Sequence, residues 1–143
     1  MSKRSLFVIL ILVALFVAAC GGGGTPAVSA PSGNADNGKT LFNKATIGAA
    51  GDPGCATCHS LEKDKTIVGP SLAGIAADGA ETVKESDYKG TAKTAAEWLH
   101  ESIVDPNVDV PEGFQPSVMP QNYGKNLTEQ EINDLVAYLS TLK

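Results

Sequence analysis

The most informative run in this chain is Cys55-Ala56-Thr57-Cys58-His59. Two thiols at C-x-x-C spacing followed at once by a histidine read as a signature for covalent haem attachment. The spacing lets each sulfur form a thioether to one of the two vinyl groups on a single edge of a haem. The adjacent His59 is then held under the ring, where its Nε2 can ligate the iron. The covalent bonds fix that ligand before the fold has to.

Three other readings of the pair are weaker. A thioredoxin-like redox centre needs a βαβ setting, and strand patterns are scarce in this chain. Half of a zinc site would need further ligands, yet there is no other Cys pair and only one more histidine, His100. A structural disulfide across two intervening residues is a strained closure and leaves His59 without a role.

The third cysteine, Cys20, ends the segment Met1–Cys20. Lys3 and Arg4 are followed by an apolar run from Leu6 to Ala19, too short to favour a stable membrane span. Val17-Ala18-Ala19-Cys20 resembles the bacterial lipobox, which implies cleavage before Cys20 and lipidation of its thiol. We therefore expect a signal peptide over residues 1–19 and a chain whose N-terminal cysteine is anchored in a membrane. Each buried CH₂ of the acyl chains contributes about 0.8 kcal/mol to that anchoring. This address agrees with the motif, since haem c is attached outside the cytoplasmic membrane. The expected location is thus the periplasmic or extracellular face.

Residues 21–33 are rich in Gly, Pro and Ser, lack periodicity and read as a flexible linker. A coil of this length spans roughly 20 Å and reaches roughly 45 Å when stretched, enough to lift a small domain off a bilayer. Residues 34–143 suit one domain around one core, and one C-x-x-C-H means one haem.

The patterning of this domain is all-α. Gly38, Leu41, Phe42 and Ala45 fall at i, i+3, i+4 and i+7, one face of a helix. Thr94-Ala-Ala-Glu97 and Thr128-Glu-Gln-Glu131 are capping boxes. The first opens a helix that Asp105-Pro106 stops; the second opens one carrying Ile132, Leu135, Val136 and Leu139. A short fourth helix is predicted after Pro70, over Ser71–Ala76, with the proline at its N-terminus. The remainder reads as loop.

This order of parts resembles class I cytochrome c: an N-terminal helix, C-x-x-C-H, a Gly-Pro-x-Leu segment, a middle helix, a Met-Pro loop and a C-terminal helix. The resemblance covers about residues 35–143. It implies that the first and last helices cross at a glycine with aromatics alongside, and Gly38, Phe42, Leu135 and Tyr138 match those positions. Their expected role is structural. It also implies that the carbonyl of Pro70, in Val68-Gly69-Pro70-Ser71-Leu72, accepts from the Nδ1–H of His59.

Met119 is the one methionine left once the leader is removed. A single methionine is commonly core filling. The Met119-Pro120 position, ahead of the last helix, matches the axial methionine of the family and implies that Met119 is the sixth ligand. His100 is expected at the surface, with bis-histidine ligation as the alternative. His and Met ligation together favour Fe(II), raise the potential relative to bis-histidine haem, and leave no open position for O₂ or peroxide. Tyr123 and Phe114 flank the Met loop and are expected to pack on the haem. Trp98 is expected either to cover the ring, to reach a propionate with its indole N–H, or to serve as core. The segment after the leader has no arginine, so the propionates are left to lysine, Trp, Tyr, Asn, backbone or water.

From Cys20 onward the chain carries nine Lys and sixteen Asp and Glu, a formal charge of −7. An acidic chain of this kind is not a nucleic-acid binder, and nothing points to a small-molecule substrate. Its expected partners present basic patches or hold it permanently in a complex. Lys63 and Lys65 leave room for a local positive rim after His59. The stretch Glu101–Asn107, with Gly113-Phe114-Gln-Pro116 and Met119-Pro120, is similar to cytochrome domains of haem–copper oxidases and to the monohaem lipoprotein cytochrome of alternative complex III. The resemblance implies a single-electron carrier, not an enzyme, serving a quinol-oxidising complex, an oxidase or a reaction centre. A haem enzyme or gas sensor with an open sixth site is the alternative of another class.

Overall fold

The computed structural model describes residues 32–143. The expected leader, Cys20 and nearly all of the linker lie outside the described residues. Five helices and one two-stranded hairpin follow in chain order. They are α1 (Ala35–Phe42), β1 (Thr46–Ile47), β2 (Asp52–Pro53), α2 (Ile75–Thr82), α3 (Ala95–Val104), α4 (Tyr123–Asn126) and α5 (Glu129–Leu139). No helix among the described residues is long and apolar enough to cross a membrane.

α1 begins at Asn34, whose side-chain oxygen accepts from the backbone N–H groups of Asp36 (2.9 Å) and Asn37 (3.0 Å). It ends at Phe42, one turn earlier than the apolar spacing to Ala45 predicts. Asn43 turns its amide back onto the Lys39 carbonyl (2.8 Å), a local bond that competes with continuation of the helix. The Ala45 carbonyl instead accepts from the N–H of Gly54 (2.9 Å).

α1 and α5 cross where Gly38 meets the backbone of α5. A Cβ on Gly38 would be driven into the Asp134 carbonyl and would lie 2.8 Å from the Tyr138 Cβ. Phe42 and Leu135, each 1% exposed, are the most deeply buried large side chains. Burial of side chains this size is worth about 1.5–3 kcal/mol each. Tyr138 meets Phe42 edge-on, with ring centroids 5.5 Å apart and planes at 63°. Asp134 ties the start of α1 to α5, accepting from the Asn34 N–H (2.7 Å) and from Gln130 Nε2 (2.8 Å).

Both predicted capping boxes are formed. Thr94 Oγ1 accepts from the Glu97 N–H (3.2 Å) and Glu97 reaches back to the Thr94 N–H (3.1 Å). Thr128 and Glu131 repeat the exchange at 3.2 and 2.8 Å. α3 stops at Val104, ahead of Asp105-Pro106, as its sequence requires.

Three features depart from the sequence reading. The helix expected over Ser71–Ala76 starts later, at Ile75, and runs to Thr82. Ser71 and Leu72 are committed elsewhere: the Ser71 hydroxyl donates to the Glu62 carbonyl (2.7 Å), and the Leu72 N–H to the Ser60 carbonyl (2.8 Å). Gly74 then takes a left-handed φ of 79°, so helical backbone resumes only after it. Pro70 is thus a loop residue, not a helix-opening one. The fifth helix, α4, is a single turn in a segment read as loop. Four residues hold too little of a 3.6-residue period to be read. The hairpin β1–β2, with Gly48 (φ 71°) and Gly51 (φ 72°) in its turn, is likewise too short to show alternation.

Candidate functional site

Gly54 leads into a tight turn over Cys55–Thr57. The Thr57 hydroxyl donates to the Gly54 carbonyl (2.6 Å), and the N–H groups of Cys58 (3.1 Å) and His59 (3.0 Å) both donate to the Cys55 carbonyl. This turn brings Cys55, Cys58 and His59 into the lining of a single apolar cavity. The later part of the chain supplies Phe114, Met119 and Tyr123 to the same cavity, and α1, α3 and α5 supply Phe42, Trp98 and Leu135. Every residue expected at the haem site therefore meets in one place.

His59 is oriented from behind. Its Nδ1 lies 2.9 Å from the Pro70 carbonyl, which has no proton to give, so Nδ1–H is the donor. That tautomer leaves the lone pair on Nε2, the atom a metal would take. Gly69 lies flat against the ring: a Cβ there would come 2.5 Å from Cε1 and 2.9 Å from Nδ1. The N–H groups of Val68 (3.2 Å) and Gly69 (2.9 Å) both donate to the Cys58 carbonyl, which locks the loop to the attachment turn.

Burial lowers the His59 pKa below its ordinary 6.5, against a smaller upward pull from its bond to Pro70. The neutral, ligating imidazole is favoured. Burial also pushes the Cys55 thiol up to about 11. The cavity thus holds neutral sulfur and nitrogen donors in apolar walls, a set that suits haem.

Tyr123 is buried and donates its hydroxyl to the Pro53 carbonyl (2.5 Å). Burial, followed by the nearby Cys55 and Asp52, raises its pKa above the usual tyrosine range. Trp98 does not present a free indole N–H to the cavity. Its Nε1 donates to Asp109 Oδ2 (2.8 Å), and its ring lines the cavity. His100 lies outside the cavity, 3.5 Å from Glu129 on the outer side of α3. Lys65 pairs with Glu62 at 2.8 Å, which reduces the expected positive rim.

Among the described residues, the hairpin is the one sheet, and no group of three His, Cys, Asp or Glu side chains is set to hold a metal ion by itself. The thioredoxin-like and zinc readings of Cys55 and Cys58 therefore find no structural support. Residues 35–143 match the cytochrome c family along their whole length. The chain belongs to the cytochrome c family. It is 30% identical to cytochrome c2 of Rhodopseudomonas palustris (strain ATCC BAA-98 / CGA009), over 81% of this chain and 93% of that one. It is 33% identical to a second Rhodopseudomonas palustris cytochrome c2, over 62% of this chain and 90% of the relative. With cytochrome c-554(547) of Halothiobacillus neapolitanus it shares 29% identity, over 78% of this chain and all of the relative. The family is one of electron carriers with covalently bound haem c, and this cytochrome carries its attachment motif at Cys55–His59.

Two residues of this cytochrome's site carry no sequence signal. Asp109 pairs with Trp98 from a loop of irregular spacing. Asp52 accepts from Asn122 Nδ2 (2.8 Å) and Asn126 Nδ2 (2.6 Å), contacts made across seventy residues or more. Neither lies at a motif offset from the cysteines or from Met119.

Proposed function

We propose that this cytochrome passes single electrons between membrane redox proteins, tethered outside the cytoplasmic membrane by a lipidated Cys20. Within that role we assign it to a quinol-oxidising assembly similar to alternative complex III. The observation that carries the reading is the meeting of Cys55, Cys58, His59 and Met119 in one apolar cavity, with His59 Nδ1 tied to Pro70.

When bound, the haem supplies a one-electron couple between Fe(II) and Fe(III). Cys55 and Cys58 would hold the haem through thioethers, and His59 Nε2 and Met119 Sδ would supply ligands to its iron. The Pro70 carbonyl fixes the tautomer and plane of His59, so the ligand need not reorganise between oxidation states. The apolar lining from Phe42, Leu135 and Tyr123 excludes water and disfavours the extra charge of the oxidised form. Val68 and Val118 line the cavity and are about half exposed, 50% and 55%, so a partner meets an apolar rim there.

The acidic surface and the loop resemblance support membership of a complex, and the linker permits a tethered shuttle. A pull-down from membranes solubilised in mild detergent, with haem staining, distinguishes them. Co-isolation with integral membrane subunits is the expected result. A free haem-staining monomer would replace that assignment with the shuttle. A Cys20→Ser variant should leave the membrane; if it stays, the anchor lies elsewhere. Electron transfer to an acidic-faced acceptor that quickened at low salt would remove the basic-partner reading.

A further inference from the structure

Asp52 joins the segment that carries the cysteines to the segment that carries Met119 by two bonds. Asp52 stands in β2, just ahead of Cys55. Its Oδ1 accepts from Asn122 Nδ2 at 2.8 Å, and its Oδ2 accepts from Asn126 Nδ2 at 2.6 Å. Asn122 immediately precedes α4 and Asn126 is its last residue, so one carboxylate holds both ends of that turn. Met119-Pro120 leads directly into it.

α4 cannot hold itself in place. A single turn has no cooperative helical stability, so its position comes from tertiary contacts. Apart from Asp52 the polar contacts to the hairpin are neutral: Tyr123 Oη to the Pro53 carbonyl (2.5 Å), and the Ala49 N–H to the Asn126 carbonyl (2.9 Å). On its other side Gly124 packs closely against Val104 of α3. Asp52 is the member of this set that bonds both ends of α4 through one side chain.

We propose that Asp52 is a positioning residue for Met119, latching the Met119–Asn126 segment to the haem-attachment turn so that the sulfur stays on the iron. The proposal rests on the reading of Met119 as the axial ligand. It differs from a simple staple of the fold in what its loss moves. The α1–α5 crossing at Gly38 and the His59–Pro70 bond do not involve Asp52. Removing the latch therefore frees Met119 while the helices stay packed.

The test is an imidazole titration of the ferric holoprotein, reading loss of the sulfur-to-iron charge-transfer band. In wild type that band is expected, and Met119→Ala should abolish it. Asp52→Ala should bind imidazole about tenfold more tightly than wild type, since a larger fraction of molecules has the sulfur detached. Its helical circular dichroism should be unchanged. Asn122→Ala/Asn126→Ala should reproduce the effect and serves where Asp52→Ala fails to mature. The triple variant should be no worse than Asp52→Ala. Wild-type imidazole affinity in both Asp52→Ala and Asn122→Ala/Asn126→Ala would overturn the latch while leaving the Met119 reading intact. Absence of the band from wild type would overturn the Met119 reading, and the latch with it.

Discussion

His59 Nδ1 donates to the Pro70 carbonyl at 2.9 Å, and this bond settles which nitrogen of the ring is free. Gly69 makes the bond reachable, because its missing side chain lets the loop lie against the imidazole. In Gly69→Ala the new Cβ would sit 2.5 Å from Cε1, and either the ring or the loop must shift. Overpacking of this kind costs about 1–3 kcal/mol. Denaturant unfolding of the holoprotein should show a loss in that range, together with a shifted midpoint potential.

Met119→Ala removes the one thioether of the described chain. The reduced variant should bind CO at neutral pH, read as a shift of the Soret band, and wild type should not. Ready CO binding by wild type would replace the electron-carrier mechanism with an open-site haem protein.

Gly38→Ala strikes the helix crossing. A Cβ there would enter the Asp134 carbonyl, and rigid backbone on both sides leaves no rotamer to absorb it. A loss of about 3 kcal/mol in unfolding free energy is expected, the upper end of the overpacking range. A smaller loss, below about 1 kcal/mol, would mean that α1 and α5 can slide apart cheaply.

Trp98→Phe keeps an aromatic ring in the cavity wall and deletes the donor to Asp109. The Asp109 carboxylate then loses its 2.8 Å partner, at an expected cost of about 1–3 kcal/mol. Asp109→Asn retains an oxygen acceptor and should cost less. A Trp98→Phe loss that is undiminished in an Asp109→Ala background would assign the effect of Trp98 to packing, for example against Gly79 on α2, rather than to the bond.

Asp134 sets a pH dependence. The Asn34 N–H, outweighing burial and aided by Gln130 and Asn37, holds its carboxyl below the ordinary 3.8. A depressed folded-state pKa stabilises the fold fully above the unfolded value. That stabilisation is lost as pH falls from about 4 through the folded value. Asp134→Asn should therefore flatten the decline of stability between about pH 5 and pH 2, measured as the urea midpoint against pH. An unchanged acid limb would assign the decline to other carboxylates.

The parts legible in the sequence are those written within a few residues. Cys55-x-x-Cys58-His59 states the attachment chemistry, because both sulfurs must reach one edge of one ring. Thr94/Glu97 and Thr128/Glu131 state where helices begin, because a capping box closes inside one turn. Asp105-Pro106 states where α3 ends. Leu41 and Phe42, like Leu135 and Leu139, state which faces turn inward. Those signals depend only on backbone geometry and local spacing.

The tertiary structure decided the rest. Where α2 starts depends on Ser71 and Leu72 bonding to the loop after His59, and on Gly74 taking a left-handed turn. The end of α1 depends on Asn43, and α4 is placed by contacts with Asp52, Pro53, Ala49 and Val104. The use of the Trp98 indole N–H depends on Asp109, whose loop position no periodicity predicts. Met119 shares a cavity with His59, and α4, which follows it in the chain, is tied to the hairpin through contacts that span seventy residues or more. A hydrogen bond of that reach has no local pattern to betray it, since its partners are chosen by the packing of the whole chain.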